Sequence, residues 1–461
     1  MRRYAAALAC LAAAAAIAET RESPPPAGTP HEFRLPAKET LRLDNGLAIT
    51  FIDYGSVPKV TVLAVIRTGN IDEGEDTWLP DVAVEMLKEG TTTRSAADIA
   101  EAAAGMGGEL GIGVAAEQTT AGMSVLSDHA VAAVELLADV LRNPRFPESE
   151  LPRVLANFER NLAVARSDPQ SLADDALARL VFGDHPFGRA LPREGQLAGY
   201  GIDDLRGFYE RNFGARRTHV YVAGRYDRAT LEAALRKAFG DWHEGPPPTD
   251  LPARASETLQ LALVDSPGAP QSSVRIAVPV PDPSHALYFP TTLMNSLLGG
   301  TFGSRITTNI REDKGYSYSP GSSISARRGG ALWIMSAEVT AEHTAAAIAE
   351  IFREIDRLQR EAPAAAELDP TKNYRSGLFV IANSSPNGVL GQLAFMNLHG
   401  LPDDFLTRWV ANMHAVTPAQ VSEMARQFLR PERMTVVVAG DLAAIGDSVR
   451  TLPQFERAAM P

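Results

Sequence analysis

An internal repeat constrains the fold of this chain more than any single motif. "THVYVAG" (218–224) and "MTVVVAG" (434–440) are both apolar strands ending in Ala-Gly, at an offset of 216. "LPDVAVEMLKEGT" (79–91) and "FPTTLMNSLLGGT" (289–301) pair Pro80, Leu87, Gly90 and Thr91 with Pro290, Leu297, Gly300 and Thr301, at an offset of 210. Two matches in the same order and nearly in register point to a duplicated unit. With 461 residues, the chain is also too long for one ordinary core.

Each half opens on strands. "GLAITFIDY" (46–54) and "KVTVLAVIRTG" (59–69) begin the first, "LQLALVDS" (259–266) and "SSVRIAVPV" (272–280) the second. Their alternating, β-branched content suits half-buried strands. Helical runs follow at 128–143 and 342–361, with apolar residues recurring at three and four. The expected fold class is α+β: two similar domains, each a mainly antiparallel sheet covered by helices, forming a clamshell. The expected domains are residues 41–239 and 258–447, joined by a proline-rich linker at 240–257 and followed by a tail at 448–461. A cleft between two such halves is a natural binding site, and a duplicated scaffold without one is the alternative.

The N-terminus reads as a signal peptide over residues 1–18. Arg2 and Arg3 precede an apolar run, and Ala16-Ile17-Ala18 is a small-residue cleavage site before Glu19. Residues 19–40 then form a flexible lead-in. Cleavage removes two positive charges and takes the net charge from -12 to -14. That balance argues against a nucleic-acid partner. The single cysteine, Cys10, lies inside the signal, so the mature chain has no thiol for a disulfide, a thiolate metal site or a nucleophile. The expected location is the periplasm of a bacterium, with no transmembrane segment. Lipid anchoring at Cys10 is the alternative.

"WLPDVAVEMLKEGT" (78–91) reads as an amphipathic helix ending in a glycine turn. Leu79, Val82, Ala83, Met86 and Leu87 form its apolar stripe, with Asp81, Glu85 and Lys88 on the other side. Glu85 and Lys88, three apart, make a surface pair. The nine histidines (31, 129, 185, 219, 243, 285, 343, 399 and 414) are scattered, and no two stand at ligand spacing. "GGTFGSR" (299–305) lacks the Lys-Ser/Thr of a phosphate loop, so its glycines serve a tight turn or a close backbone approach.

Several segments in order carry a family resemblance. They are "LDNGLAITFID", "AAAGMGGELGIGVAAEQT", "LSDHAVAAVELLADVLRNPRFPESEL" and "NSLLGGTFGSRITTNIREDKGYSYS". Across about Leu41 to Asp447 the chain resembles the insulinase or pitrilysin family of zinc peptidases, including the subunits of mitochondrial processing peptidase. Active members bind zinc through two histidines one turn apart, with a glutamate beside the second as base and a downstream glutamate as third ligand. The resemblance implies that Asp81 and Glu85 stand in the histidine places and Val84 in the base place. The downstream ligand falls near Asn161, with Glu159 close by. The zinc motif is therefore degenerate, and no catalytic or metal-binding residue is expected in this chain. Oxygen-rich binding of Ca²⁺ or Mg²⁺ by Asp81, Glu85 and Glu159 is the alternative.

The resemblance also implies that Arg311 and Tyr318, in "REDKGYSY", reach toward bound peptide, while Tyr316 is at most auxiliary. A guanidinium fork and a phenol suit a peptide carbonyl or a developing oxyanion. Gly111 and Ile112 lie on the edge strand that takes peptide as an added strand, where active members show Asn-Ala. The expected function is therefore a catalytically silent subunit of an exported peptidase. It pairs with a zinc-bearing homologue, which holds the only zinc, and contributes Arg311 and Tyr318 to hydrolysis of extended peptides. A stand-alone periplasmic peptide-binding or scaffold module is the second reading. An active hydrolase of another type is the third, although no Gly-x-Ser-x-Gly elbow occurs.

Overall fold

The computed structural model describes residues 33–460; the expected signal peptide, Cys10 and most of the lead-in lie outside them. Six strands form the first sheet: β1 (Lys38–Arg42), β2 (Ala48–Asp53), β3 (Lys59–Ile66), β4 (Gly111–Val114), β5 (Thr119–Leu126) and β6 (Thr218–Gly224). Five form the second: β7 (Gln260–Asp265), β8 (Gln271–Val280), β9 (Gly321–Arg327), β10 (Gly330–Thr340) and β11 (Thr435–Gly440). Their orders are β1-β2-β6-β3-β5-β4 and β7-β11-β8-β10-β9. Without β1 the two orders are the same. Each sheet has one parallel pair, β2 with β6 and β7 with β11, and is otherwise antiparallel. The Ala-Gly strands found in the sequence, β6 and β11, hold equivalent places. The duplicated α+β fold is as expected.

Strand chemistry follows position. In β3, a central strand, seven of eight residues are buried or nearly so, which explains its continuous apolar run. In β5 burial alternates, and so does apolar content in "TTAGMSVL". The Ala130–Arg142 helix buries Val134, Leu137 and Leu141 in the first core. The Thr344–Arg360 helix buries Ile348, Ile351 and Ile355 in the second.

The other faces are covered across the molecule. The Pro169–Phe182 helix of the first half packs on β8 and β11 of the second sheet. Ala173, Leu177 and Val181 meet Ala277, Leu332, Val437 and Ala439 there. Reciprocally, the Pro386–His399 helix packs on β3 and β6. Val389, Leu390 and Leu393 share a core with Ile52, Val65, Tyr221 and Ala223. Each half thus completes the core of the other, and burial of these apolar side chains holds the halves together.

Two boundaries differ from the sequence reading. Strand β1 begins at Lys38, inside the expected lead-in, because its residues pair with β2 from Lys38 to Arg42. The expected tail is part of the second domain. A helix runs unbroken over Leu442–Arg450, Phe455 is 1% exposed in the second core, and Leu261 N–H donates to the Ala459 carbonyl at 2.9 Å. The tail thereby covers β7, an edge strand that would otherwise leave backbone groups open. The linker is tied down as well, with Trp242 buried and Ser256 N–H donating to the Val181 carbonyl at 2.8 Å.

Candidate functional site

The helix at Leu79–Leu87 is where a zinc motif would stand. Leu79, Val82, Ala83, Met86 and Leu87 are buried as expected, and Pro80 and Val84 join them. Val84 is 2% exposed in the first core, so the place of a base holds an aliphatic packing residue. Glu85 pairs with Lys88 at 2.5 Å, the expected surface contact. Asp81 differs from the sequence reading. It is half-buried rather than on the solvent side and accepts a hydrogen bond from Asn70 Nδ2 at 2.8 Å. Burial holds its carboxyl above the usual range.

Sequence reasoning missed the neighbour that shapes this corner. Glu73 is 3% exposed and accepts from the Trp78 backbone N–H at 3.1 Å and from Asn70 Nδ2 at 3.3 Å. Burial pushes its carboxyl up to about 8, against these hydrogen bonds and with the Asp81 charge adding to the rise. Its Oε1 is buried without a partner. Trp78, between the two acids, has a left-handed backbone (φ 66°) that a bulky residue rarely adopts. Nothing in the acidic loop "NIDEGEDTW" distinguishes Glu73 from its neighbours by pattern.

These residues do not fit zinc. Neither helix position offers an imidazole, and each carboxylate already has a partner. Glu159 and Asn161 are exposed on the Leu151–Ser167 helix. Among the described residues, no three His, Cys, Asp or Glu side chains are placed to hold a metal ion.

Arg311 and Tyr318 are brought together in the second half. Arg311 lies on a π-helical turn, Thr308–Asp313, a geometry frequent at functional sites. Asn309 anchors that turn by donating to Glu350 at 2.9 Å and to Glu354 at 2.8 Å. The Arg311 guanidinium carbon is 4.9 Å from the Tyr318 ring centroid and 4.4 Å from that of Phe302. Both rings are largely exposed, Tyr318 at 78% and Phe302 at 66%. The cation therefore rests beside two open aromatic faces, with Glu312 at 3.0 Å from its Nε. The sequence reading missed Phe302, although it lies inside the quoted glycine-rich loop.

The loop's glycines serve close approach. A Cβ on Gly299 would lie 2.5 Å from Ser322 Oγ, and one on Gly300 would lie 2.5 Å from Asn295 Nδ2. Tyr316 stacks on His343 at 4.5 Å and packs against the second core.

Gly111 and Ile112 lie on β4, the last strand of the first sheet, opposite Gly122 and Ala121 of β5. This strand contacts the Leu79–Leu87 helix. The structure therefore gathers Gly111, Ile112, Asp81 and Glu85 in one half, and Arg311 with Tyr318 in the other. Neither Arg311 nor Tyr318 lines the cavity onto which Asp81 opens.

Comparison with known proteins agrees with this architecture. Residues 54–194 match the family described as insulinase (peptidase family M16), and residues 201–374 match the peptidase M16 inactive domain. An uncharacterized zinc protease of Bacillus subtilis is 24% identical over 397 residues, covering 86% of this chain and 96% of its own. One from Mycobacterium leprae is 27% identical over 422 residues, covering 89% and 93%. The fold is shared with the peptidase M16 inactive domain from Pseudomonas fluorescens, at a TM-score of 0.83 and 22% identity over 88% of this chain and 99% of that one. A protease from Helicobacter pylori gives 0.82 and 16%, over 88% and 100%. Matches in both halves, on a duplicated pair of sheets, establish that the chain belongs to the insulinase family, peptidase family M16.

Proposed function

We propose that this protein is the non-catalytic subunit of an exported peptidase of its family. It pairs with a zinc-bearing homologue and presents Arg311 and Tyr318 to the partner's bound peptide. One observation carries the reading: a half-buried arginine beside an exposed tyrosine stands on a chain whose helix offers no zinc ligand set. A chain released from all constraint on proteolysis has no reason to keep the first while losing the second.

The chemistry follows from the side chains. The π-helical turn fixes the Arg311 backbone, and Phe302 and Tyr318 flank its guanidinium. A fork of N–H donors held in this way can grip a peptide carbonyl without first being ordered, so less binding energy is lost to entropy. The Tyr318 hydroxyl adds a second donor. Together they would stabilise the oxygen on which charge develops when water attacks the carbonyl. Zinc, where the partner holds it, would polarise that water; this chain's residues position the peptide. The outer edge of β4 at Gly111 and Ile112 offers main-chain groups for an extended peptide.

The pairing is tested by sedimentation of the mature chain with a zinc-bearing homologue encoded beside it. A one-to-one complex with zinc only in the homologue is expected; two independent species would contradict it. The mass of the exported chain is expected to begin at Glu19, and a lipid adduct on Cys10 would replace that reading.

A further inference from the structure

A cavity of about 380 Å³ between the two halves has no role in the pairing proposed above. Much of its wall is apolar, with Trp78, Leu177, Val181, Phe187, Leu332 and Ile334. Two guanidinium groups, Arg189 and Arg327, also line it. The Arg327 guanidinium carbon is 5.3 Å from the Phe187 ring centroid, and its Nη1 donates only to the Ala326 carbonyl, at 3.0 Å. Arg189 donates to the carbonyls of Asp184 and Gly74. In both side chains Nε is buried without a hydrogen-bond partner.

Two acids, Asp81 and Asp174, line the cavity as well, and each has a hydrogen-bond partner. Asp174 accepts from Arg275 at 2.7 Å, and Asp81 accepts from Asn70 at 2.8 Å. Glu117, whose charge reaches Arg327, accepts from the Arg328 backbone N–H at 3.0 Å. Burial lowers the Arg327 guanidinium below its ordinary value, as expected for a cation held against apolar walls. Arg327 is half-buried and has only the charge of Glu117 near it, with no ion pair at contact distance among the described residues; an incoming anion would supply one through a charge-assisted fork. The cavity has the size of an ordinary small-molecule site. A second cavity, of about 420 Å³, shares Phe182, Arg327 and Leu332 with it, so there is room for an elongated body.

We propose that this cavity binds a small monocarboxylate with an apolar body, the carboxylate on Arg327 and the body against Phe187, Leu332 and Ile334. A medium-chain fatty acid and the C-terminal end of a short hydrophobic peptide share that chemistry. The Arg327 end asks for an anionic head, and the apolar wall for an uncharged tail.

Calorimetry on the full mature chain tests this with decanoate, decanol and decylamine, and with the dipeptide Leu-Phe beside its C-terminal amide. Decanoate or Leu-Phe is expected to bind at least about tenfold more tightly than its neutral counterpart, and decylamine more weakly than decanol. Whichever acid binds more tightly identifies the source. Arg327→Met is expected to weaken the acid about tenfold and leave decanol unchanged, whereas Ala178→Trp, which fills the cavity, removes both. Equal affinity for decanoate and decanol in the unmodified protein, with the dipeptide and its amide also equal, would overturn the proposal without recourse to any variant. Absence of saturable binding by either acid at millimolar concentration would overturn it as well.

Discussion

The Arg311 guanidinium carbon lies 4.9 Å from the Tyr318 ring centroid, and the ring is 78% exposed. A cation–π contact at an open surface contributes about 0.5–1 kcal/mol, too little to matter much for folding. Arg311→Ala and Tyr318→Phe are therefore expected to change stability by less than about 0.5–1 kcal/mol in urea unfolding. In the proposed complex each should lower peptide cleavage by about tenfold or more, acting mainly on kcat if the donors serve the transition state. A large loss of stability with unchanged cleavage would make the pair structural.

Val84 tests the other half of the argument. At 2% exposure in the first core, it has no water to solvate a charge. Val84→Glu is expected to destabilise the fold by about 2–4 kcal/mol, and Val84→Ile by less than about 1.5 kcal/mol. Thermal unfolding of both variants separates a packing position from a disguised functional one. A well-tolerated glutamate would mean that the helix still presents this position to solvent.

Leu177 reports on the joint between the halves. It reaches from the Pro169–Phe182 helix into the core shared with Ala277 and Val437. Leu177→Ala is expected to cost about 2–5 kcal/mol, as for other buried leucines. Because each half completes the other's core, unfolding should remain a single transition. A low-temperature transition confined to one half would show that the halves fold independently.

Glu73 predicts a pH dependence. Its carboxyl titrates near 8 when folded, against an ordinary value near 4.5. The folded state therefore binds the proton more tightly than the unfolded chain. The stability contributed by protonated Glu73 is complete below about pH 4.5 and is lost as pH rises through about 8. Glu73→Gln keeps the site neutral, so its stability relative to the parent should rise by about 2–4 kcal/mol between pH 5 and pH 9. Urea unfolding at both pH values measures the difference. Parallel behaviour of the two proteins would mean that Glu73 is charged in its loop.

The repeat was legible because strands ending in Ala-Gly and the Gly-Thr turn keep their identities in both halves. A third match is much fainter: "ARSDP" (165–169) and "ANSSP" (382–386) stand at an offset of 217. Asp168 and Ser385 both cap a helix that opens on proline, accepting from Ser171 N–H and Gly388 N–H. Few side chains are needed for that break, so few were kept. The two capped helices are those that cross to the opposite sheet. Periodicity marks which face of a helix is buried but not what buries it, and the exchange of helices between halves was therefore hidden.

The site was legible in the same uneven way. Arg311 and Tyr318 stand seven apart in one stretch, and it is the family resemblance, not the spacing, that singles them out as a pair. Phe302 joins them only because the glycine-rich loop folds back. Asp81 falls on the polar face of its helix, and its contact with Asn70 and the cavity beyond is not written in a helix pattern. Glu73 owes its shifted carboxyl to burial, which a loop sequence does not disclose.

The most direct test of the central claim is cleavage of a quenched, unstructured peptide with zinc present. The mature chain is assayed alone, with the zinc-bearing homologue, and with that homologue when Arg311 is alanine. The account predicts silence alone, cleavage by the pair above that of the homologue alone, and a lower joint rate with the variant. Chelator-sensitive cleavage by the purified chain alone would contradict it.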